Sequence, residues 1–184
     1  MNKSDRALVY FRNKFNCSQS VYTVFSADYG LNEDDSLRIS CSFGGGMGRQ
    51  QHTCGAVTGA LMALGMKFGK ALNDPEERKQ LTYAKTREFF NEFIKMHGST
   101  NCRDLLEGLD MTDPEQHKEI MEKNLFEVKC EEYVASASRP FGAQHVSQQG
   151  TIGLDPDHSL LGRRHFHVCA QRARLAAADD GQRL

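Results

Sequence analysis

The chain has 184 residues, of which 39% are hydrophobic and 26% are charged, a composition typical of one ordinary folded domain. Lysine and arginine total 23 against 24 aspartate and glutamate residues, and a net charge of −1 argues against a broad cationic surface for nucleic acid or anionic lipid. Charges interrupt residues 1–15, and no stretch reaches membrane-spanning length, so we expect a cytoplasmic protein with neither a secretory signal nor a membrane span.

Apolar residues recur at helical spacing along residues 1–137, and no segment alternates as a strand would. The spacing, together with capping residues and glycine stops, predicts an all-α bundle of about five to seven helices. In chain order the helical patterns cover residues 4–15, 17–30, 33–46, about 51–70, 73–98, 99–108 and 112–137.

The composition changes at residue 138. All ten lysines and all twelve glutamates precede it, while the last 47 residues carry six arginines, four of the seven histidines and five glutamines. A linker with an interaction tail would explain part of this change, but an appended, frameshifted or disordered segment explains it better. We therefore predict a helical cysteine-containing domain over 1–137 and an atypical, irregular tail over 138–184.

Six cysteines are many for a chain of this size in a reducing compartment, where thiols are more often catalytic, redox-active or metal-binding than structural. Three of them directly follow a residue that commonly caps helices, and a helix start favours a thiolate through its free N–H groups and dipole. The competing interpretation is that each is a small buried hydrophobe. The three at predicted helix starts are Cys17, Cys54 and Cys102; Cys130 suits a resolving thiol, and Cys41 is assigned to packing.

A glycine run lies just before the predicted helix at 51–70. It lacks the full GxGxxG pattern and follows no strand, so a nucleotide loop is not expected. A backbone nest that holds an anion or a thiolate fits better, and the alternative is a tight turn where two helices meet. The candidate ligand-binding residues are Gly44, Gly45, Gly46, Gly48 and Arg49.

These elements together resemble the redox-active family named for its C, GCAxxG, C and C motifs. The matching parts are Cys17, "FGGGMGR", "CGAVTGALMALG" from Cys54, Cys102 and Cys130, and the box reads Cys-Gly-Ala-x-x-Gly here. The resemblance covers about residues 1–137 and implies a small all-helical protein with four characteristic cysteines. It also implies a redox partner and a link to a transport system, whereas Cys41 and Cys169 gain no role from it.

The leading hypothesis is a thiol/disulfide redox protein that needs no cofactor, in which Cys54 is activated at its helix start and another of the four cysteines resolves it. A different class remains open: Cys17, Cys54, Cys102 and Cys130 could together bind zinc or an iron–sulfur cluster. A third hypothesis is a helical interaction module with buried cysteines. Glycine-rich helix faces would also suit the contact between subunits of an oligomer. The sequence does not indicate the substrate.

Overall fold

The computed structural model describes residues 1–139, and within them the fold consists of eight α-helices without a strand, so the predicted all-α class is confirmed. Residues 140–184, which hold most of the predicted tail and Cys169, lie outside the described residues. None of the described helices combines the length and apolarity needed to cross a lipid bilayer. The helices are α1 (Lys3–Arg12), α2 (Cys17–Ser26), α3 (Glu33–Cys41), α4 (Gly55–Phe68), α5 (Glu76–His97), α6 (Cys102–Leu105), α7 (Pro114–Glu122) and α8 (Glu131–Ala137).

Side-chain caps decide where most of these helices begin. Five helices start directly after an Asn or Asp whose side-chain oxygen accepts a hydrogen bond from a backbone N–H in the first turn. Each such cap satisfies a donor that the helix itself leaves free and contributes about 1 kcal/mol. Asn2, for example, caps α1 by accepting from the N–H of Asp5. The five capping residues are Asn2, Asn16, Asn32, Asn101 and Asp113.

Helix α2 is central to the core and packs against α1, α3, α4 and α8. Val21 and Val24 of α2 and Val57 of α4 are fully buried between these helices. Gly59 lets α4 come close to α2, since a Cβ at Gly59 would lie 2.8 Å from the carbonyl oxygen of Ser18. The small residues predicted on α4 therefore serve helix packing.

The last predicted helix, 112–137, divides in two in the structure. α7 ends at Glu122, and Asn124 takes a left-handed conformation with φ of 52°. Asn tolerates that conformation better than most residues, because its short polar side chain can hydrogen-bond locally. A π-helical turn, Phe126–Cys130, then leads into α8, and this division gives the eighth helix.

The glycine run forms a left-handed turn, which we call the glycine turn (residues 44–49). Five consecutive residues from Gly45 to Arg49 have φ between 61° and 67°. The N–H of Gly48 donates to the carbonyl of Gly44 over 2.9 Å, as in one turn of a mirror-image α-helix. This conformation destabilises an L-residue with a side chain by about 1–2 kcal/mol. Glycine at three of the five positions avoids that cost.

The glycine turn brings three helix starts into direct contact. A Cβ on Gly46 would lie 2.8 Å from the Cβ of Cys102, at the start of α6. A Cβ on Gly55 would lie 3.1 Å from the Cβ of Cys17 and 3.2 Å from the Cα of Gly44. Because no side chain separates these backbones, the starts of α2, α4 and α6 meet around the glycine turn.

Substitution of Gly46 by alanine tests this packing. We expect Gly46→Ala to lower the free energy of unfolding by at least about 2 kcal/mol, since the left-handed conformation and the contact with Cys102 both oppose a Cβ. Gly65→Ala is the matched control, because a Cβ there meets no atom within 4 Å and should stabilise α4 by about 0.5–1 kcal/mol. Urea unfolding measures both, and equal changes would contradict the packing role.

Candidate functional site

Three of the candidate cysteines lie at helix starts, as the sequence predicted. Cys17 is the first residue of α2, Cys54 is the N-cap of α4, and Cys102 is the first residue of α6. Cys130 ends the π-helical turn that leads into α8. Cys41, assigned to packing, is exposed at the end of α3, and its carbonyl accepts a hydrogen bond from the side chain of Asn16, the cap of α2.

A short backbone pairing joins the start of α4 to the start of α6. The N–H of Cys54 donates to the carbonyl of Thr100 over 2.8 Å, and the N–H of Cys102 donates to the carbonyl of His52 over 2.6 Å. One isolated antiparallel bridge lies between the same two segments. The positions of Cys54 and Cys102 are therefore fixed by main-chain hydrogen bonds rather than by side-chain packing alone.

The thiols of Cys17 and Cys130 interact with each other. This interaction, followed by burial, holds the pKa of Cys17 well above its ordinary value. Burial raises the pKa of Cys54 and of Cys102, a charge on Cys17 raises both further, and a charge on Cys54 raises that of Cys102. Cys17 thus interacts with each of the other three, and we call the four the thiol cluster (Cys17, Cys54, Cys102 and Cys130).

Burial dominates the ionisation of Cys54. Its side chain is 3% exposed, and this burial, aided by the charge on Cys17, raises its pKa to about 12. The backbone N–H groups of Ala56 and Val57 in the first turn of α4 lower the pKa, which is the effect predicted for a helix start. They do not outweigh burial, so the structure gives no support to an activated thiolate at Cys54, which stays a prediction. The partly exposed cysteine of the cluster is Cys17.

Two aromatic residues beside the cluster did not emerge from the sequence. The hydroxyl of Tyr133 donates to the carbonyl of Leu105 over 3.1 Å, and burial together with the charge on Cys130 raises its pKa to about 12. The ring of His97 lies 4.9 Å from the ring of Tyr133, and burial lowers the pKa of His97. The one sequence signal is that Tyr133 follows Cys130 by three residues, a spacing that puts helical residues side by side.

The five residues predicted to form an anion nest all lie in the glycine turn. Its amides are engaged within the turn, where both Gly48 and Arg49 donate to the carbonyl of Gly44. The geometry supports the alternative, a tight turn between helices, and the nest remains a prediction. Within residues 1–139 no three Cys, His, Asp or Glu side chains are arranged to hold a metal ion, so the four-thiolate metal site gains no support. The five nest candidates are Gly44, Gly45, Gly46, Gly48 and Arg49.

The fold and the cluster define an all-α protein in which three helix starts and the end of the π-helical turn gather four thiols. The chain belongs to the family described as "Putative redox-active protein (C_GCAxxG_C_C)", whose model matches residues 15–141, and the resemblance seen in the sequence is confirmed. An "Uncharacterized protein" of Archaeoglobus fulgidus is 30% identical over 125 residues, which cover 64% of this chain and 82% of that protein. No solved structure matches the chain significantly.

The raised pKa of Cys54 predicts a loss of stability in alkali. The unfolded thiol titrates near about 8.5, so the contribution of Cys54 is complete below that pH and is lost as the pH rises toward about 12. We expect Cys54→Ala to flatten the decline of the unfolding free energy above about pH 8.5, by up to about 1.4 kcal/mol per pH unit.

Urea unfolding of the reduced protein between about pH 7 and about pH 10 measures this slope. Slopes rather than absolute stabilities are compared, because the substitution also leaves a cavity. Cys41→Ala removes an exposed thiol and should keep the wild-type slope. Identical slopes for Cys54→Ala and the wild type would contradict the burial of an un-ionised Cys54.

Proposed function

We propose that this protein is a thiol/disulfide redox protein whose first exchanging pair is Cys17 and Cys130. The observation that carries the proposal is the interaction between these two thiols, which come from distant parts of the chain, on helices that pack together. Neighbouring sulfurs need little movement to form a bond. The membership of a family described as redox-active supports the same chemistry.

Access distinguishes the roles of the two thiols. Cys17 is partly exposed, whereas the Cys130 side chain is only 7% exposed. An external disulfide reaches Cys17 first, so Cys17 takes the role of the attacking thiol that the sequence had suggested for Cys54. Cys130 resolves the intermediate, which is the role that its sequence context favoured.

The exchange proceeds in two substitution steps. The Cys17 thiol first loses its proton, a step that its raised pKa slows, and the thiolate attacks one sulfur of a substrate disulfide. A mixed disulfide forms, and the first substrate thiolate leaves and takes up that proton. The Cys130 thiolate then attacks the Cys17 sulfur, and the second substrate thiolate leaves. The substrate disulfide gains two electrons and two protons, and Cys17 and Cys130 together lose the same two electrons and two protons. The reverse sequence reduces the protein.

The mutual electrostatics of the cluster favour one ionised thiol at a time. A thiolate at Cys17 raises the pKa of both Cys54 and Cys102, because like charges close together disfavour each other. Formation of the Cys17 to Cys130 disulfide removes that charge. In this proposal Cys54 and Cys102 form a second dithiol next to the Cys17 and Cys130 pair. The backbone pairing holds Cys54 and Cys102 in position.

Oxidation of the reduced protein by 2-hydroxyethyl disulfide tests the pairing. We expect the intact mass to fall by two hydrogen atoms, and peptide mapping should find Cys17 joined to Cys130 before any other link forms. Cys17→Ser and Cys130→Ser should each abolish this product, while Cys41→Ser should leave it unchanged, because Cys41 lies outside the cluster.

A first disulfide between other cysteines would overturn the assignment of the pair. If no internal disulfide forms in a folded protein, as judged by circular dichroism, the thiols are better explained as packing in an interaction module. Stoichiometric zinc or iron in anaerobically purified protein, with thiols that oxidise only after its removal, would instead favour the metal site.

A further inference from the structure

A polar hollow of about 360 Å³ opens beside the glycine turn. Its volume falls in the range of sites for small molecules. Hydrogen-bonding side chains dominate its wall, and two arginines outnumber one aspartate. The lining includes Arg49, Gln50, His52, Asn101, Arg103 and Asp110, and we call it the Arg49 hollow.

The cations of the hollow are not equally available to a ligand. Arg103 is held within the protein, with its Nη1 3.4 Å from a carboxylate oxygen of Asp110 and its Nε donating to the carbonyl of Gly108 over 3.0 Å. Arg49 is exposed and forms no ion pair with a described residue. Arg103 therefore offsets Asp110, and the guanidinium of Arg49 gives the hollow one unmatched positive charge.

The wall of the hollow is built before any ligand arrives. Arg49 and Gln51 have φ of 66° and 56°, a conformation that costs free energy and persists only where the surroundings enforce it. The buried Gln51 amide donates to the carbonyl of Leu109 over 2.7 Å and accepts from the N–H of Met111 over 2.9 Å. These bonds tie the segment after the glycine turn to the Leu109 to Met111 loop.

The hollow adjoins two members of the thiol cluster. Asn101 and Arg103 flank Cys102 directly in the chain, and His52 lies two residues before Cys54. The carbonyl of His52 also accepts the N–H of Cys102, so the pairing that fixes both cysteines forms part of the wall. A ligand in the hollow therefore lies beside the backbone of these two buried cysteines, while Cys17, the proposed attacking thiol, packs against Gly55 beside Gly44, at the other end of the glycine turn.

We infer that the Arg49 hollow binds a carboxylate group of a small disulfide or thiol substrate, an assignment of substrate class that rests on the proposed function. A guanidinium fork matches a carboxylate with two parallel hydrogen bonds. One unmatched positive charge beside Asp110 suits a singly charged group better than a phosphate dianion. The amides of Gln50 and Asn101 offer further hydrogen bonds to the same group.

Binding is tested with adipate, a dicarboxylate that cannot undergo thiol exchange, and with the neutral 1,6-hexanediol. In amide NMR titrations we expect adipate, but not the diol, to shift the signals of Gln50 to His52 and Asn101 to Arg103. Arg49→Gln should weaken adipate binding about tenfold or more, the usual effect of losing a charge-assisted hydrogen bond. Arg87→Gln, the same charge change on the exposed side of α5 outside the hollow, should not.

A comparison of oxidants tests the substrate class. The dianionic 3,3′-dithiodipropionate should oxidise the wild-type cluster several-fold faster than 2-hydroxyethyl disulfide at low salt, and Arg49→Gln should remove this preference. If adipate does not bind, or if Arg49→Gln leaves its affinity unchanged, the proposed carboxylate site is overturned. If adipate binds in the titration but the two disulfides oxidise the cluster at equal rates, the assignment of the hollow to the redox substrate is overturned. Adipate binding to a protein that forms no internal disulfide would leave the anion site standing and refute the proposed thiol exchange.

Discussion

At the glycine turn the main chain touches the starts of α2 and α6 with no side chain in between. The absence of a Cβ at Gly46 sets the distance to Cys102, and its absence at Gly55 sets the distance to Cys17. A close-packed interior cannot absorb an extra methyl group at such contacts without moving a backbone. The positions of the cysteines at these helix starts are therefore a consequence of backbone geometry, and the redox chemistry proposed for them depends on it.

Burial and the helix start act on Cys54 in opposite directions, and the structure decides between them. Two N–H groups of the first turn lower its pKa, yet the pKa rises to about 12 because the thiol is almost fully enclosed. The field of a helix start brings a thiol pKa below its ordinary value only where it exceeds the cost of removing the thiolate from water. The most accessible position, Cys17, is the one paired with another thiol. Enclosure thus protects the inner thiols from adventitious reaction, and access is confined to one member.

Most of the architecture could be read from the sequence, because helical spacing and Asn or Asp caps act locally. The break at Asn124 could not, since it depends on how α7 and α8 pack on the rest of the chain. The placement of Cys54 and Cys102 at helix starts was equally local and was predicted. Their enclosure was not, because burial depends on residues far apart in the chain, and the same holds for Tyr133 beside the cluster.

The origin of the cluster in four separate parts of the chain has a consequence for the order of folding. Cys17 and Cys130 lie at opposite ends of the described bundle's sequence, so their sulfurs cannot meet until α2 and α8 have both docked. Long-range contacts of this kind form late, after the entropy of closing a large loop has been overcome. A newly made chain would therefore complete the thiol cluster only at the end of folding. Before that point any oxidant would meet unpaired thiols, and wrong disulfides would trap the chain.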